Sequence, residues 1–173
     1  LGFVLSLESQ NRIISDQDLI GSQTYNWTSD TTYLLDGLVV LEAGSSLYIE
    51  AGTKIKGLHI PSNNEHTSAL IIARGARIFA QGTMQEPIIF TAESDDPADP
   101  ADLSAEDRGL WGGLIILGKA PIGNGALAEI SVEGIAPPDP RFFYGGTDEQ
   151  DDSGILSYVS IRHAGGELHQ DEG

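Results

Sequence analysis

The sequence LVVLEAGSSLYIEAGTKIKG, residues Leu38 to Gly57, decides the fold. It consists of three short runs of β-forming residues, and each run ends at a glycine: Gly44, Gly52 and Gly57. Short runs punctuated by glycine are typical of strands joined by turns, because glycine readily adopts the positive φ angles that tight turns require. The stretch therefore predicts three consecutive short strands.

The same pattern returns further along the chain, as LIIARG, ARIFAQG and PIIFTA within residues 70–92. Turns every seven or eight residues leave too little chain for the hairpins of a β-sandwich. They suit a coil with three short strands per turn. One such turn cannot bury its apolar side alone, so it must stack on its neighbours. The sequence thus predicts an all-β chain that folds as a parallel β-helix.

Residues 31–173 are predicted to form the rungs of this coil, as an incomplete part of a longer β-helix, and residues 1–30 a cap or edge. Later rungs are predicted at 114–118 and at 155–166. The residues of the last rung expected to point inward are Ile155, Tyr158 or Val159, and Ile161. Long acidic loops are expected between rungs, because residues 93–107 hold seven acidic residues and two prolines.

Composition limits the function classes. Nine Lys and Arg stand against 26 Asp and Glu, which gives a net charge of −17 over 173 residues. This balance argues against nucleic acid and against anionic membranes as partners, because both are bound by clustered basic residues. The chain has no cysteine, which excludes disulfides and cysteine-ligated metals. No apolar run is long enough for a transmembrane helix.

Four segments in order carry a family resemblance: residues 32–57, 69–93, 108–122 and 144–166. They resemble a family of secreted or lipid-anchored surface proteins that is common in Bacteroidetes-type bacteria. The resemblance covers the chain from Trp27 onward. It implies a right-handed parallel β-helix and an extracellular location, and it implies no established activity. Family members usually continue with further rungs, so the expected partner is another copy or the remaining fragment of the same protein.

Acidic residues cluster in a turn flanked by glycines, at Asp148, Glu149, Asp151 and Asp152. Several carboxylates in one short loop are what a hard cation such as Ca²⁺ requires, and the spacing is not that of an EF-hand. The turn is therefore a candidate calcium site. The alternative is a solvated acidic turn that binds no metal.

Three aromatic residues, Trp111, Phe142 and Tyr144, are candidates for binding a glycan, because aromatic faces suit the C–H surfaces of sugars. The alternative for Trp111 is packing of a loop on the coil, which its flanking glycines would permit.

An enzymatic site is not evident. Arg162 and His163 are adjacent, so on one strand they would point to opposite faces, and no partner for a general base follows from the spacing. The first hypothesis is therefore an extracellular structural or adhesive β-helix that is stabilised by calcium and assembles with another chain. The alternatives are a polysaccharide lyase or hydrolase, and a glycan-binding module.

Overall fold

The computed structural model describes residues 10–123, 129–133, 135 and 139–168, and they form three parallel sheets. Sheet A contains β1 (Gln10–Ile14), β3 (Thr31–Leu35), β6 (Lys54–Gly57), β9 (Ile88–Ala92) and β14 (Val159–Ile161). Sheet B contains β2 (Thr24–Trp27), β5 (Ser46–Ile49), β8 (Arg77–Gln81) and β13 (Gly154–Ser157). Sheet C contains β4 (Leu38–Leu41), β7 (Ala69–Ile72) and β10 (Gly113–Ile116).

From β2 onward the chain visits sheets B, A and C in turn, and every neighbouring pair within these sheets is parallel. This is a coil with three strands per turn, and the predicted parallel β-helix is confirmed. The turns at Gly44, Gly52 and Gly75 have φ near +80°, as expected for glycine corners. Gly57, in contrast, is the last residue of β6 rather than a corner.

The interior of the coil is apolar because alternate residues of each strand point inward. In sheet B, Leu47 lies over Ile78, and in sheet A, Ile55 lies over Phe90. All four are fully buried. The stacked columns form one continuous core that joins the three sheets. Its burial from water is the main force that holds the rungs together.

Strands β4 and β7 of sheet C are buried on both faces. Leu38, Val40 and Ile71 point outward from it and form a second apolar cluster with Phe142. An antiparallel pair, β11 (Ile130–Ser131) and β12 (Phe143–Tyr144), is part of the segment that covers this face. The second cluster explains why β4 and β7 are apolar at every position instead of alternating.

The first end of the coil is covered. A short 3₁₀ turn, Asp16–Asp18, leads to Leu19, whose side chain is buried against the core. The carboxylate of Asp16 accepts a hydrogen bond from the N–H of Val40, an edge residue of sheet C. Arg141 pairs with Asp16 at 2.8 Å and with Asp139 at 2.8 Å, so it ties this end to the cover of sheet C.

Of the residues expected to point inward in the last rung, Ile155 does not, and of the alternatives Tyr158 and Val159 only Val159 does. Ile155 pairs with Phe79 and so shares its outward orientation, and Tyr158 lies in a turn between β13 and β14 with φ +48°. Both are about half exposed or more. Val159 and Ile161 do follow the inward register, opposite Ile88 and Phe90. The reason is that Gly154 takes the inward position opposite Ile78, which turns Ile155 outward.

No helix in the described part of the chain is long and apolar enough to cross a membrane.

Candidate functional site

The acidic turn at 148–152 uses its carboxylates to support its own backbone. Asp148 accepts a hydrogen bond from the N–H of Gln150 (3.0 Å), and Asp152 accepts one from the N–H of Gly154 (2.9 Å). Asp151 accepts from the N–H of Lys119 at 2.7 Å and so joins the turn to the end of β10. Glu149 is exposed. Each aspartate therefore has a local role in shaping the turn.

Within the residues that the structure describes, no three His, Cys, Asp or Glu side chains come together as a metal site. Asp148 and Asp151 each already use one carboxylate oxygen in a backbone hydrogen bond, which leaves the other oxygen of each for a cation. Calcium binding by this turn stays a prediction.

The three candidate glycan-binding aromatics do not form an exposed platform. Trp111 is fully buried beside Gly57, and its Nε1–H donates to the carbonyl oxygen of Arg162 at 2.7 Å. Phe142 is also buried, in the second apolar cluster, and Tyr144 packs against the same cluster while partly exposed. A buried ring has no free face for a sugar, so for Trp111 the packing alternative holds.

The structure reveals a charged cluster that the sequence analysis missed, around Asp95 on the outer side of sheet A. The Asp95 carboxylate is almost completely buried and accepts a hydrogen bond from Thr91 Oγ1 at 2.7 Å. Arg162 Nη1 lies 3.8 Å from one of its oxygens, and His163 Nε2 lies 3.9 Å from the other. Lys56 Nζ donates to the Asp95 carbonyl oxygen at 2.6 Å. A buried carboxylate needs such partners, because an unpaired charge away from water is costly.

The expectation that Arg162 and His163 face opposite sides is wrong. Strand β14 ends at Ile161, and His163 has φ +54°, so strict alternation no longer applies at these residues. Both side chains reach Asp95. The sequence feature that could have indicated this cluster was the acidic run at residues 93–107, because its first residues directly follow the end of β9.

A groove of about 380 Å³ lies beside this cluster on the outer face of sheet A. Lys54 and Lys56 line it from β6, and Glu93, Asp96 and Pro97 line it from the acidic loop. Within the described residues Lys54 makes no ion pair. Lys54 and Lys56 occupy outward positions on sheet A, and the side chain of Arg162, just beyond β14, also reaches this face. One face of a strongly acidic chain thus carries a third of its nine Lys and Arg residues.

A comparison with models of protein families identifies the family of this fold. The family model for a pectate-lyase-like β-helix domain matches residues 20–173, which is most of the chain. The chain belongs to the pectate-lyase-like β-helix domain family. No significant match was found among curated proteins or among solved structures. The narrower resemblance to Bacteroidetes-type surface proteins is not tested by these comparisons and stays a prediction.

In this pectate-lyase-like β-helix domain, the last rung consists of β10, β13 and β14, and each of them is an edge strand. One inward-register residue from each strand is substantially exposed: Ile116 (39%), Leu156 (43%) and Ile161 (48%). Their stacking partners in the preceding rung are fully buried: Ile72, Ala80 and Phe90. Among the described residues, apolar side chains and unpaired strand edges therefore occur together on this rung.

Proposed function

We propose that this chain is part of an extracellular or cell-surface β-helix protein with a structural or adhesive role, and that it assembles through its last rung. The single observation that supports this most is the difference between the two ends of the coil. Leu19 and Asp16 cover the first rung, whereas Ile116, Leu156 and Ile161 stay exposed on the last.

The partner in this proposal is another copy of the chain or another fragment of the same protein. A second rung placed on β10, β13 and β14 would pair their free backbone groups and cover three apolar side chains. Full burial of one such side chain stabilises by about 1.5–3 kcal/mol, before the cost of association is subtracted. Two copies that meet through the same rung would form a closed, two-fold dimer.

The net charge of −17 supports a soluble, surface-exposed role and restricts where copies can meet. Like charges on the loops repel, so stable contact requires a surface with little charge. Among the exposed large apolar residues described above, Ile116, Leu156 and Ile161 lie on three sheets of one rung and thus form such a surface.

Size-exclusion chromatography with light scattering tests the proposal. We expect the wild-type chain to form a dimer or larger species, and Leu156→Lys to be a monomer. The matched control is Ile13→Lys, because Ile13 is 60% exposed but lies on β1 in the first rung. That control should assemble like the wild type. A wild-type chain that stays monomeric at high protein concentration would contradict assembly with another copy of the chain.

A second candidate function is glycan binding in the groove on sheet A, which is favoured by the ammonium of Lys54, without an ion pair in the described part of the chain, and by the family match. A glycan with carboxylate groups would complement Lys54 and Lys56. A glycan array with the wild type and Lys54→Ala tests this candidate. Retention of uronate-rich glycans by the wild type, and their loss in the variant, is the expected result. Equal retention by both proteins would remove this groove as the binding site.

A further inference from the structure

One imidazole ring contacts both ends of the acidic loop, residues 93–107. His163 Nε2 lies 3.9 Å from the carboxylate of Asp95, near the start of the loop. His163 Nδ1 is hydrogen-bonded to the carbonyl oxygen of Asp107, at its end. We propose that His163 is a pH-sensitive latch: the protonated ring holds the acidic loop against sheet A, and loss of one proton releases it.

The two acceptors determine what each nitrogen must do. A carbonyl oxygen only accepts, so Nδ1 carries a hydrogen in either protonation state. The carboxylate of Asp95 also accepts, so Nε2 interacts with it favourably only when that nitrogen carries a proton as well. The ring is therefore fully matched to its two partners only as the imidazolium ion. Deprotonation leaves the contact at Asp107 and removes the attraction to Asp95.

Burial strengthens the electrostatic attraction between protonated His163 and Asp95. The side chains of His163 and Asp95 are 11% and 4% exposed, so water screens the pair less than a surface ion pair. In the described part of the chain, Arg162 Nη1, at 3.8 Å, is the other charged side-chain partner of this carboxylate. Neutral His163 would leave Asp95 with only the charge of Arg162, which is itself 38% exposed.

Charged groups of both signs lie near the ring. Among the described residues, Asp95, Asp102 and Asp107 are acidic groups close to it, and Arg162 is a basic one. The N–H of Asp96 holds the pKa of Asp102 below its ordinary value, and the charge of His163 adds to this effect. Hydrogen bonds from Ser104 lower the pKa of Asp107, again with a contribution from His163.

Asp102 and Asp107 therefore stay ionised in mildly acidic solution, in which an ordinary imidazole is protonated. We therefore expect the loop to be held against sheet A in mildly acidic solution and to be released when the ring loses its proton at higher pH.

The backbone of His163 adopts an uncommon conformation that is held by contacts with neighbouring residues. His163 has φ +54°, a region that residues other than glycine seldom adopt. The N–H of Leu110 donates to the carbonyl oxygen of His163 at 3.0 Å, which holds the residue beside the chain that follows the loop. The same loop provides Glu93, Asp96 and Pro97 to one wall of the groove on sheet A. Release of the loop would thus widen that groove, whatever the assembly state of the chain.

Limited proteolysis tests the latch. A glutamyl endopeptidase cuts after acidic residues, and cleavage within residues 96–106 can be followed by mass spectrometry. Each rate is divided by the rate for a free peptide of residues 93–107 at the same pH, which removes the pH dependence of the protease. Between about pH 5.5 and about pH 8 we expect the normalised rate to rise about two- to fivefold, the range expected for loss of one such ion pair. A flat profile would overturn the proposal.

Two variants separate the latch from a general effect of pH. His163→Asn removes the titrating group, and asparagine tolerates positive φ, so we expect fast cleavage at both pH values. His59→Asn is the matched control, because His59 Nδ1 lies 3.1 Å from the carbonyl oxygen of Leu110 on the exposed side. It should keep the wild-type profile. If His163→Asn keeps that profile as well, the latch is not His163.

An NMR titration of the ring gives an independent measurement that does not require the His163 variant to fold. The midpoint of the His163 imidazole signals should coincide with the midpoint of the cleavage profile. Asp95→Asn, which removes the charge and keeps the shape, should move both midpoints in the same direction. Midpoints that differ, or that do not respond to Asp95→Asn, would count against the proposal.

Discussion

The indole of Trp111 occupies the space that a side chain at residue 57 would need. A Cβ atom on Gly57 would lie 2.7 Å from the Cβ of Trp111 and 2.9 Å from its ring. Gly57 ends β6, and Trp111 precedes β10 and forms a parallel bridge to Ala164. The glycine in one rung thus makes room for the aromatic residue of another, and this packing sets where the chain re-enters the coil after the acidic loop.

Gly57→Ala should destabilise the fold by about 1–3 kcal/mol, because the new methyl group meets a side chain that is fully enclosed. Urea unfolding followed by Trp fluorescence would measure the change. Gly123→Ala is the control, since no atom lies within 4 Å of a Cβ at that position. Equal stability of the two variants would contradict the packing described here.

Arg141→Met should lower the free energy of unfolding by about 1–2 kcal/mol, because Asp16 and Asp139 would lose a shared, half-buried partner. Arg77→Met provides the comparison. Its ion pair with Asp152 is 3.8 Å long, and both side chains are more than half exposed, so its loss should cost about 0.5 kcal/mol or less. Thermal unfolding of both variants in low salt would show the difference, and a larger effect at Arg77 would be the opposite of the expectation.

Asp139 should make stability depend on acid pH. Hydrogen bonds from Arg141 hold the pKa of Asp139 below its ordinary value. The resulting stabilisation is fully present above the ordinary pKa of an aspartate and is lost as the pH falls through the lowered pKa. Urea unfolding between about pH 5 and about pH 2.5 should therefore show a smaller loss for Asp139→Asn than for the wild type. The variant Asp99→Asn, in an exposed loop, should behave like the wild type.

Calcium is expected to bind the acidic turn only weakly, because Asp148 and Asp151 each already use one carboxylate oxygen in a backbone hydrogen bond and the described residues bring no three metal-ligating side chains together. We predict a rise in the thermal midpoint at millimolar calcium in the wild type and none in the double variant Asp148→Asn/Asp151→Asn. Magnesium at the same ionic strength controls for screening. Calorimetry without a heat of binding, together with an unchanged midpoint, would remove calcium from the description of this turn.

In the last rung, the alternation of residues along the sequence predicted the orientation of some side chains correctly and of others not. The pattern correctly gave the inward register to Ile161, and to Val159 as one of two alternatives, because both alternate within a strand that is regular at that point. It failed at Ile155, and it did not decide between Tyr158 and Val159. Gly154 takes an inward position that an apolar residue would normally fill, and Tyr158 belongs to a turn. Alternation predicts orientation within one strand, but it does not say which residue begins the strand.

The sequence by itself determined the coil of three short strands per turn, the glycine corners and the apolar interior. These features are local: a glycine corner depends on its own φ angle, and the face of a residue depends on alternation within a few positions. Only the tertiary structure decided that Phe142 closes a second core, that Arg141 pairs with Asp16 across 125 residues, and that Asp95 meets His163. Such contacts depend on which rungs stack and on how long loops return to them, and no local preference of the chain encodes that.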